Sequence, residues 1–211
     1  MEVKLKDTER IDDLQLKGLK VIQDKNGFCF GIDAVLLANF AKVKKRAKVV
    51  DLGTGTGIIP VLIAGKSEAE KIVGVEIQEE VWEMANRTVK LNNLQDRLEI
   101  VKGDIKTIDK QLPVHGFHVA TSNPPYMHMN GIQNPNDKKA ISRHEVLCDL
   151  EDVIRAASRL VMPRGKFFMI HRPIRLVDIV TLGRKYNLPV LQPVDESGKF
   201  TATPWEGKFV M

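Results

Sequence analysis

Cysteine and long apolar runs are scarce in this sequence, and each shortage excludes a class of protein. The 211 residues include only two cysteines, Cys29 and Cys148, which cannot form a disulfide framework. Apolar residues nowhere continue for the roughly 18 to 20 positions that a membrane-spanning helix requires, so no membrane association is expected. The five histidines have no cysteine partners at zinc-binding spacing, so no metal site is expected either.

The rest of the composition is typical of one soluble domain. Apolar residues make up 43% of the chain, and 211 residues suffice for a single sizeable core. Residues 1–6 lack the apolar segment and the cleavage site of a signal peptide. Because cysteine is so rare, the expected location is the reducing cytoplasm.

An Asn-Pro-Pro-Tyr corner, consisting of Asn123, Pro124, Pro125 and Tyr126, follows an apolar run that we interpret as a buried strand. Proline fixes φ and removes a backbone donor, and the residue before each proline is held extended. The Asn123 side-chain oxygen and the Pro124 carbonyl are therefore rigid acceptors. They suit the two N–H groups of an amine on a planar ring, whose face Tyr126 would cover. The corner indicates methylation of an amino group, although these residues also form ordinary turns.

A second motif lies upstream, where an apolar strand ends at Asp51 and glycines follow at alternate positions. This loop contains Gly53, Thr54, Gly55 and Gly57. Glycine permits positive φ and the close approach of a ligand, and the N–H groups at a helix start favour an anionic group such as a carboxylate. The spacing departs from the dinucleotide fingerprint, which requires a third glycine further on. The pattern predicts a nucleotide-type binding turn, and a flexible loop without a ligand is the alternative.

Two further acids end apolar runs. Glu76, which Ile77 follows in the same predicted cofactor site, could accept both ribose hydroxyls of an adenosine cofactor, a role common to NAD and S-adenosylmethionine sites. Asp104 could accept the adenine amino group while Ile105 packs on the ring. Alternatively, Asp104 is the N-cap of the helix that follows it.

Taken together, these motifs resemble the class I S-adenosylmethionine-dependent methyltransferases of the amino-group branch. Within that class, residues 27–37 and the run His171-Arg172-Pro173 are similar to the bacterial tRNA(Val) adenine-37 N6-methyltransferases. The resemblance covers residues 1–185. It implies S-adenosyl-L-methionine as methyl donor and S-adenosyl-L-homocysteine as product. It also implies an adenine N6 amine in RNA as acceptor, with the anticodon loop of a tRNA favoured.

Alternating strand and helix patterns predict an α/β fold with a doubly wound, mostly parallel, Rossmann-like sheet and ligands at the carboxyl ends of its strands. We expect an extended pair at 14–16 and 19–22, and a helix at 34–41 capped by Asp33. The core should then alternate strands near 49, 72–76, 98–101, 117–121 and 166–170 with helices at 58–64, 79–91 and 150–161.

Three regions follow from this pattern. Residues 1–45 are expected to form an N-terminal extension packed on the core, and residues 46–186 the methyltransferase domain. Residues 187–211 form an atypical tail whose prolines, Pro189, Pro193 and Pro204, suit central strands poorly. We therefore expect the antiparallel edge of the sheet to be incomplete.

The net charge of +5 is concentrated in two basic clusters, residues 42–48 and 155–185. Such clusters attract phosphate backbones without regard to sequence, although solvated surface is the alternative interpretation. Together with the adenine-type site, they favour a nucleic acid partner, most specifically tRNA. The protein itself is expected to be a monomer or a weak homodimer.

Two other functions fit parts of the pattern. Glutamine N5-methyltransferases that act on release factors resemble this chain in the Asn-Pro-Pro-Tyr corner, but they carry a helical domain before the glycine loop. Only 50 residues precede Asp51 here, and they begin with an extended, charged pattern. The other alternative is an RNA-binding protein that kept the fold without turnover.

Overall fold

The structure is a computed structural model that describes residues 3–27, 29–124, 148–188, 194–195 and 209–210. An antiparallel hairpin comes first, formed by β1 (Glu9–Asp13) and β2 (Lys20–Asp24). The prediction of a first strand at 14–16 was wrong by several residues. Leu14 and Leu16 instead belong to the turn, from which they pack against the main core. The strand that pairs with β2 is charged, because it lies at an edge where most of its side chains meet solvent.

A seven-stranded sheet forms the centre of the molecule, in the order β5-β4-β3-β6-β7-β9-β8. Its strands are β3 (Lys48–Leu52), β4 (Lys71–Glu76), β5 (Leu98–Lys102), β6 (Phe117–Ser122), β7 (Val161–His171), β8 (Val194–Asp195) and β9 (Phe209–Val210). The first five of these are parallel to one another, and β9 is antiparallel to both β7 and β8. The predicted doubly wound parallel sheet is therefore confirmed.

Helices cover both faces of this sheet. They are α1 (Ile32–Phe40), α2 (Ile58–Lys66), α3 (Glu79–Leu91), α4 (Leu150–Leu160) and α5 (Leu176–Lys185), with short 3₁₀ helices at Ile105–Lys110 and Pro173–Arg175. Alternation along β3 divides the core, because Val49 packs with α1, α2 and α3 whereas Val50 packs with α4. Consecutive strand residues therefore serve two different apolar layers.

Two local expectations need correction or refinement. Helix α1 begins at Ile32 with Gly31 as its N-cap, so Asp33 is not the cap and lies inside the first turn, 7% exposed. At the other end of the chain, the tail does reach the sheet, through β8 and β9. Each of these strands has only two residues, so the antiparallel edge is short in the part of the chain that the structure describes.

The N-terminal hairpin is tied to α3 by polar side chains. Arg87 donates to both carboxylate oxygens of Glu9 at 2.6 Å and also to Glu83 at 2.7 and 2.9 Å. The Arg87 guanidinium holds the pKa of both carboxyls below their usual value. Thr88 Oγ1 accepts from the Ile22 backbone N–H, and Asn92 Oδ1 accepts from Lys20 N–H. The division of the chain at residues 45 and 186 stays a prediction.

Strand order fixes where a ligand can bind. Strand β3 lies between β4 and β6, so the chain leaves β3 in opposite directions along the sheet, first towards β4 and β5 and later towards β6 and β7. In open parallel sheets, the crevice at such a switch point receives the ligand. The carboxyl ends of β3 and β6 therefore define the candidate site.

Candidate active site

The loop between β3 and α2 adopts the conformation that its glycines predict. Gly53, Gly55 and Gly57 all have positive φ, at 73°, 56° and 86°. Residues with a β-carbon rarely adopt this left-handed conformation. A β-carbon at Gly55 would meet no atom within 4 Å, so the backbone here faces open space that a ligand can approach.

Asp51 is the next-to-last residue of β3, below this loop, and is completely buried. Its Oδ1 accepts a hydrogen bond from Thr121 Oγ1 at 2.5 Å. Burial raises the pKa of Asp51 to about 6, the Thr121 and Thr54 hydroxyls oppose that rise, and the charge of Glu76 adds to it. Within the described part of the chain, neither Asp51 Oδ2 nor Thr54 Oγ1 has a hydrogen-bond partner of standard geometry.

Glu76 ends β4 and connects that strand to the glycine loop. Its Oε2 accepts from Gly55 N–H at 3.0 Å, and its Oε1 accepts from the N–H groups of Ile77 and Gln78 at 3.0 and 2.9 Å. Three backbone donors thus hold a carboxylate that is only 4% exposed. A carboxylate has about four acceptor sites, so Glu76 retains capacity for a further donor. Its contact with ribose hydroxyls stays a prediction.

Asp104 follows β5 and is the N-cap of the 3₁₀ helix Ile105–Lys110. Its Oδ1 accepts from Lys106 N–H at 2.8 Å, which is the capping role that the sequence left open. The second oxygen keeps its acceptor sites, so capping and contact with an adenine amino group are compatible. Ile105 lies beside the glycine loop, since a β-carbon at Gly53 would be 3.8 Å from Ile105 Cδ1.

The Asn-Pro-Pro-Tyr corner, which the sequence predicts to be catalytic, begins directly after β6. Asn123 is half-buried and Pro124 is buried, whereas Pro125 and Tyr126 lie outside the described residues. Ser122 Oγ donates to the Leu52 carbonyl at 2.8 Å. The end of β6 is therefore bonded to the end of β3, beside the glycine loop.

The structure thus brings the predicted strand ends to one edge of the sheet. Two residues that the sequence did not single out, Thr121 and Ser122, link the strand of the corner to the strand of the loop. Residue type alone gives no signal for them. Only the pairing of β3 with β6, which places Thr121 opposite Asp51, reveals their partners.

The two basic clusters do not form one face. Lys45 and Lys48 lie at the amino end of β3, opposite the glycine loop, and they pair with Glu68 and Glu70 at 2.7 and 4.0 Å. In the second cluster, four cations pair with acids, in the pairs Arg155–Asp152, Arg159–Asp109, Arg175–Asp178 and Lys185–Glu151. Of that cluster, Arg172 and Arg175 follow directly after the carboxyl end of β7, at the edge that holds the site.

His171 ends β7 at the same edge and is buried. Its Nδ1 accepts from the Arg172 backbone N–H at 2.9 Å. Burial, reinforced by the charge of Arg175, lowers the pKa of His171 to about 4. The imidazole is therefore neutral at physiological pH.

Among the described residues, no three His, Cys, Asp or Glu side chains are grouped as metal ligands would be. No helix in the described ranges has the length and apolar character needed to cross a membrane.

Comparison with known proteins gives a family for this geometry. Residues 20–174 match the methyltransferase small domain family. The chain is 30% identical over 195 residues to a tRNA1(Val) (adenine(37)-N6)-methyltransferase of Bacteroides thetaiotaomicron, covering 90% of this chain and 79% of that protein. A protein of the same name from Phocaeicola vulgatus is 32% identical over 154 residues, which cover 73% of this chain and 64% of the relative.

A solved structure is similar as well. A predicted O-methyltransferase from Agrobacterium tumefaciens superposes with a TM-score of 0.56 and 26% identity, covering 72% of this chain and 66% of that chain. The family match includes both the glycine loop and the Asn123-Pro124 corner. This chain therefore belongs to the methyltransferase small domain family and is a methyltransferase.

Proposed function

We propose that the protein transfers a methyl group from S-adenosyl-L-methionine to the exocyclic N6 amine of an adenine in tRNA. The observation that carries this proposal is the position of Asn123 and Pro124 at the end of β6. Through Ser122 and Thr121, that strand end is bonded to β3, which leads into the glycine loop. An amine acceptor and a methyl donor would thus meet over neighbouring strands.

The residues at the loop fit the methyl donor. S-adenosyl-L-methionine supplies an electrophilic methyl group on a sulfonium and leaves as S-adenosyl-L-homocysteine. The open space at Gly55 admits a ligand to the backbone. Within the described ranges, the buried atoms Asp51 Oδ2 and Thr54 Oγ1 make no hydrogen bond of standard geometry, so a ligand could engage them. Glu76 and Asp104 would accept hydrogen bonds from the ribose hydroxyls and the adenine amino group.

The acceptor side rests on the Asn-Pro-Pro-Tyr corner. The lone pair of adenine N6 is delocalised into the ring, so N6 is a poor nucleophile. Hydrogen bonds from its two N–H groups to the Asn123 side-chain oxygen and the Pro124 carbonyl would favour a more tetrahedral, electron-rich nitrogen. Tyr126 would stack on the base, which is worth roughly 1 to 3 kcal/mol and offsets the few kcal/mol of extruding it.

The chain needs no strong base for this reaction. The amine proton becomes acidic only after the methyl group has been transferred, so water can accept it. Positioning of the amine against the methyl donor then supplies most of the rate. The buried linkage between β3 and β6 serves that purpose, because it fixes the corner relative to the glycine loop.

RNA is favoured over a protein amide by two observations. The relatives named above act on an adenine of tRNA by name, and they align with most of this chain. The chain also carries a net charge of +5, which favours a phosphate-rich partner. Release-factor glutamine, which the corner could also accept, lacks such support.

Methylation of bulk bacterial tRNA with isotope-labelled S-adenosyl-L-methionine tests the proposal directly. Digestion to nucleosides should place the label in N6-methyladenosine, and a release factor incubated in parallel should stay unlabelled. Label in glutamine would overturn RNA as the acceptor, and label in a nucleoside other than N6-methyladenosine would overturn the assignment to adenine N6. The tRNA of a strain that lacks this protein should carry the target adenine unmethylated. If such tRNA takes up no label, the proposal is contradicted.

A further inference from the structure

We propose that Thr121 is a positioning residue whose hydroxyl orients the Asp51 carboxylate for the cofactor and couples the glycine loop to the catalytic corner. This inference rests on the proposed function, because it assigns Thr121 a task in the same site. Neither the family match nor the predicted site residues include such a role.

Thr121 and Asp51 are in close contact, and both are buried. Thr121 and Asp51 face each other on the adjacent parallel strands β6 and β3. The two oxygens, Thr121 Oγ1 and Asp51 Oδ1, are 2.5 Å apart, and both residues are 0% exposed. A hydroxyl that donates to a carboxylate at this distance makes a strong, charge-assisted bond.

This bond determines which oxygen of Asp51 a ligand can use. Thr121 occupies Oδ1 in a bond of standard geometry, whereas Oδ2 has no such bond among the described residues and the Thr54 hydroxyl supports the carboxylate more weakly. A carboxylate held by one oxygen presents the other in a fixed direction. S-adenosyl-L-methionine carries a sulfonium and an ammonium group, so an ionised Asp51 would favour its binding electrostatically.

The charge of Asp51 depends on the groups around it. Burial opposes ionisation, the hydroxyls of Thr121 on β6 and Thr54 in the loop support it, and the charge of Glu76 at the end of β4 opposes it. Of the two hydroxyls, Thr121 has the stronger effect. Loss of the Thr121 donor therefore shifts Asp51 towards its neutral form, which would bind the cofactor less well.

The same residue also connects the loop to the corner. Thr121 lies two residues before Asn123, and its neighbour Ser122 bonds to the Leu52 carbonyl. The two side chains leave β6 on opposite faces, yet both bond to β3. A displacement of β6 relative to β3 would break both bonds, so the pair of contacts keeps the corner in register with the loop.

The test compares Thr121→Val, which keeps the shape and removes the donor, with Thr121→Ser, which keeps the donor. Affinity for S-adenosyl-L-homocysteine is measured by calorimetry from pH 5 to pH 8. In the wild type, affinity should fall as pH drops through about 6, as Asp51 protonates. In Thr121→Val, that fall should begin at higher pH, and affinity at pH 7 should be lower by about tenfold. Thr121→Ser should follow the wild-type curve.

Ser122→Ala serves as the matched control, because it removes the neighbouring hydroxyl without touching Asp51. It should leave the pH midpoint of binding unchanged. A merely structural Thr121 would lower the unfolding temperature of Thr121→Val without moving that midpoint, and this result would overturn the proposal. If Thr121→Val does not fold, Thr121→Ala replaces it, and a wild-type curve from Thr121→Ala would be equally decisive against the inference.

Results that would refute the proposed function can be distinguished from results that would refute only the role of Thr121. A wild-type protein that does not bind S-adenosyl-L-homocysteine at any pH would refute the cofactor assignment itself. A wild type that binds it and methylates tRNA, together with an unshifted midpoint in the valine variant, would refute only the role of Thr121.

Discussion

Gly55 donates its backbone N–H to Oε2 of Glu76 at 3.0 Å, although the two residues belong to different strand-loop connections. This bond stabilises a loop conformation that only glycine adopts readily, with φ of 56° at Gly55. The carboxylate at the end of β4 therefore helps to hold the glycine loop in this conformation. Binding of the ribose would add to a contact that already exists.

The first prediction concerns the conformation of that loop. Gly55→Ala should destabilise the protein by roughly 1 to 2 kcal/mol, because its φ is positive, and should also weaken S-adenosyl-L-homocysteine binding, because the methyl group enters the ligand space. Gly18→Ala is the matched control, since Gly18 has φ of 70° and a β-carbon there also meets no atom within 4 Å. Urea unfolding and calorimetry should show similar stability losses for both variants and a loss of affinity in Gly55→Ala alone.

The second prediction distinguishes a role in binding the acceptor amine from a role in binding the cofactor. Asn123→Ala should abolish methyl transfer and retain S-adenosyl-L-homocysteine affinity, because the proposed role of its side-chain oxygen is to accept a hydrogen bond from the acceptor amine. Asn39→Ala, which removes an exposed amide that bonds within α1, should leave both properties unchanged. Turnover and binding are measured on the same preparations. Substantial turnover by the Asn123 variant would contradict the amine clamp.

The third prediction concerns the attachment of the N-terminal hairpin. Arg87→Met should destabilise the protein by about 2 to 4 kcal/mol at pH 7, since it leaves the Glu9 carboxylate buried without its cation. Glu68→Ala removes a pair whose side chains are 70% and 71% exposed, and it should cost less than about 1 kcal/mol. Urea unfolding of both variants gives the comparison.

The stability that Arg87 confers through Glu9 and Glu83 should depend on pH. Arg87 lowers the folded-state pKa of Glu9 and Glu83, so their contribution to stability is present above the unfolded pKa, roughly 4.3. It is lost as pH falls through the lower folded values. The stability difference between wild type and Arg87→Met should therefore shrink below about pH 4. A constant difference down to pH 2 would contradict the assignment.

The fourth prediction concerns RNA contact. Arg172→Gln should weaken tRNA binding and reduce the salt dependence of binding by about one ion, because Arg172 follows β7 at the edge that holds the site. S-adenosyl-L-homocysteine affinity should stay unchanged. Lys45→Gln, at the opposite edge and paired with Glu68, is the control and should bind tRNA as the wild type does. Filter binding at several salt concentrations measures both, and equal effects of the two changes would contradict this placement.

Much of the candidate site could be predicted because each of its residues lies at or next to the end of one strand. Asp51, Glu76 and Asn123 each follow an apolar run, and parallel strands bring such ends to one edge. The bounds of α3, Glu79–Leu91, were also predicted, since its apolar residues repeat at helical spacing over more than three turns. The capping role of Asp33 was predicted wrongly, because α1 starts at Ile32, two residues earlier than predicted, with Gly31 as cap.

The strand-loop-helix pattern and the glycine loop could be predicted, as could a chemical hypothesis for the corner, because these depend on residues that are neighbours in the chain. Partners that are distant in sequence became visible in the folded structure. Thr121 bonds to Asp51 because β6 lies beside β3, and Arg87 bonds to Glu9 because the hairpin packs on α3. The packing of elements also determines the pairing of the basic clusters, since acids from other parts of the fold pair with Lys45, Arg159 and Lys185. Arg172 and Arg175 follow the strand end at the site. Such pairings depend on strand order and packing, which local sequence does not encode.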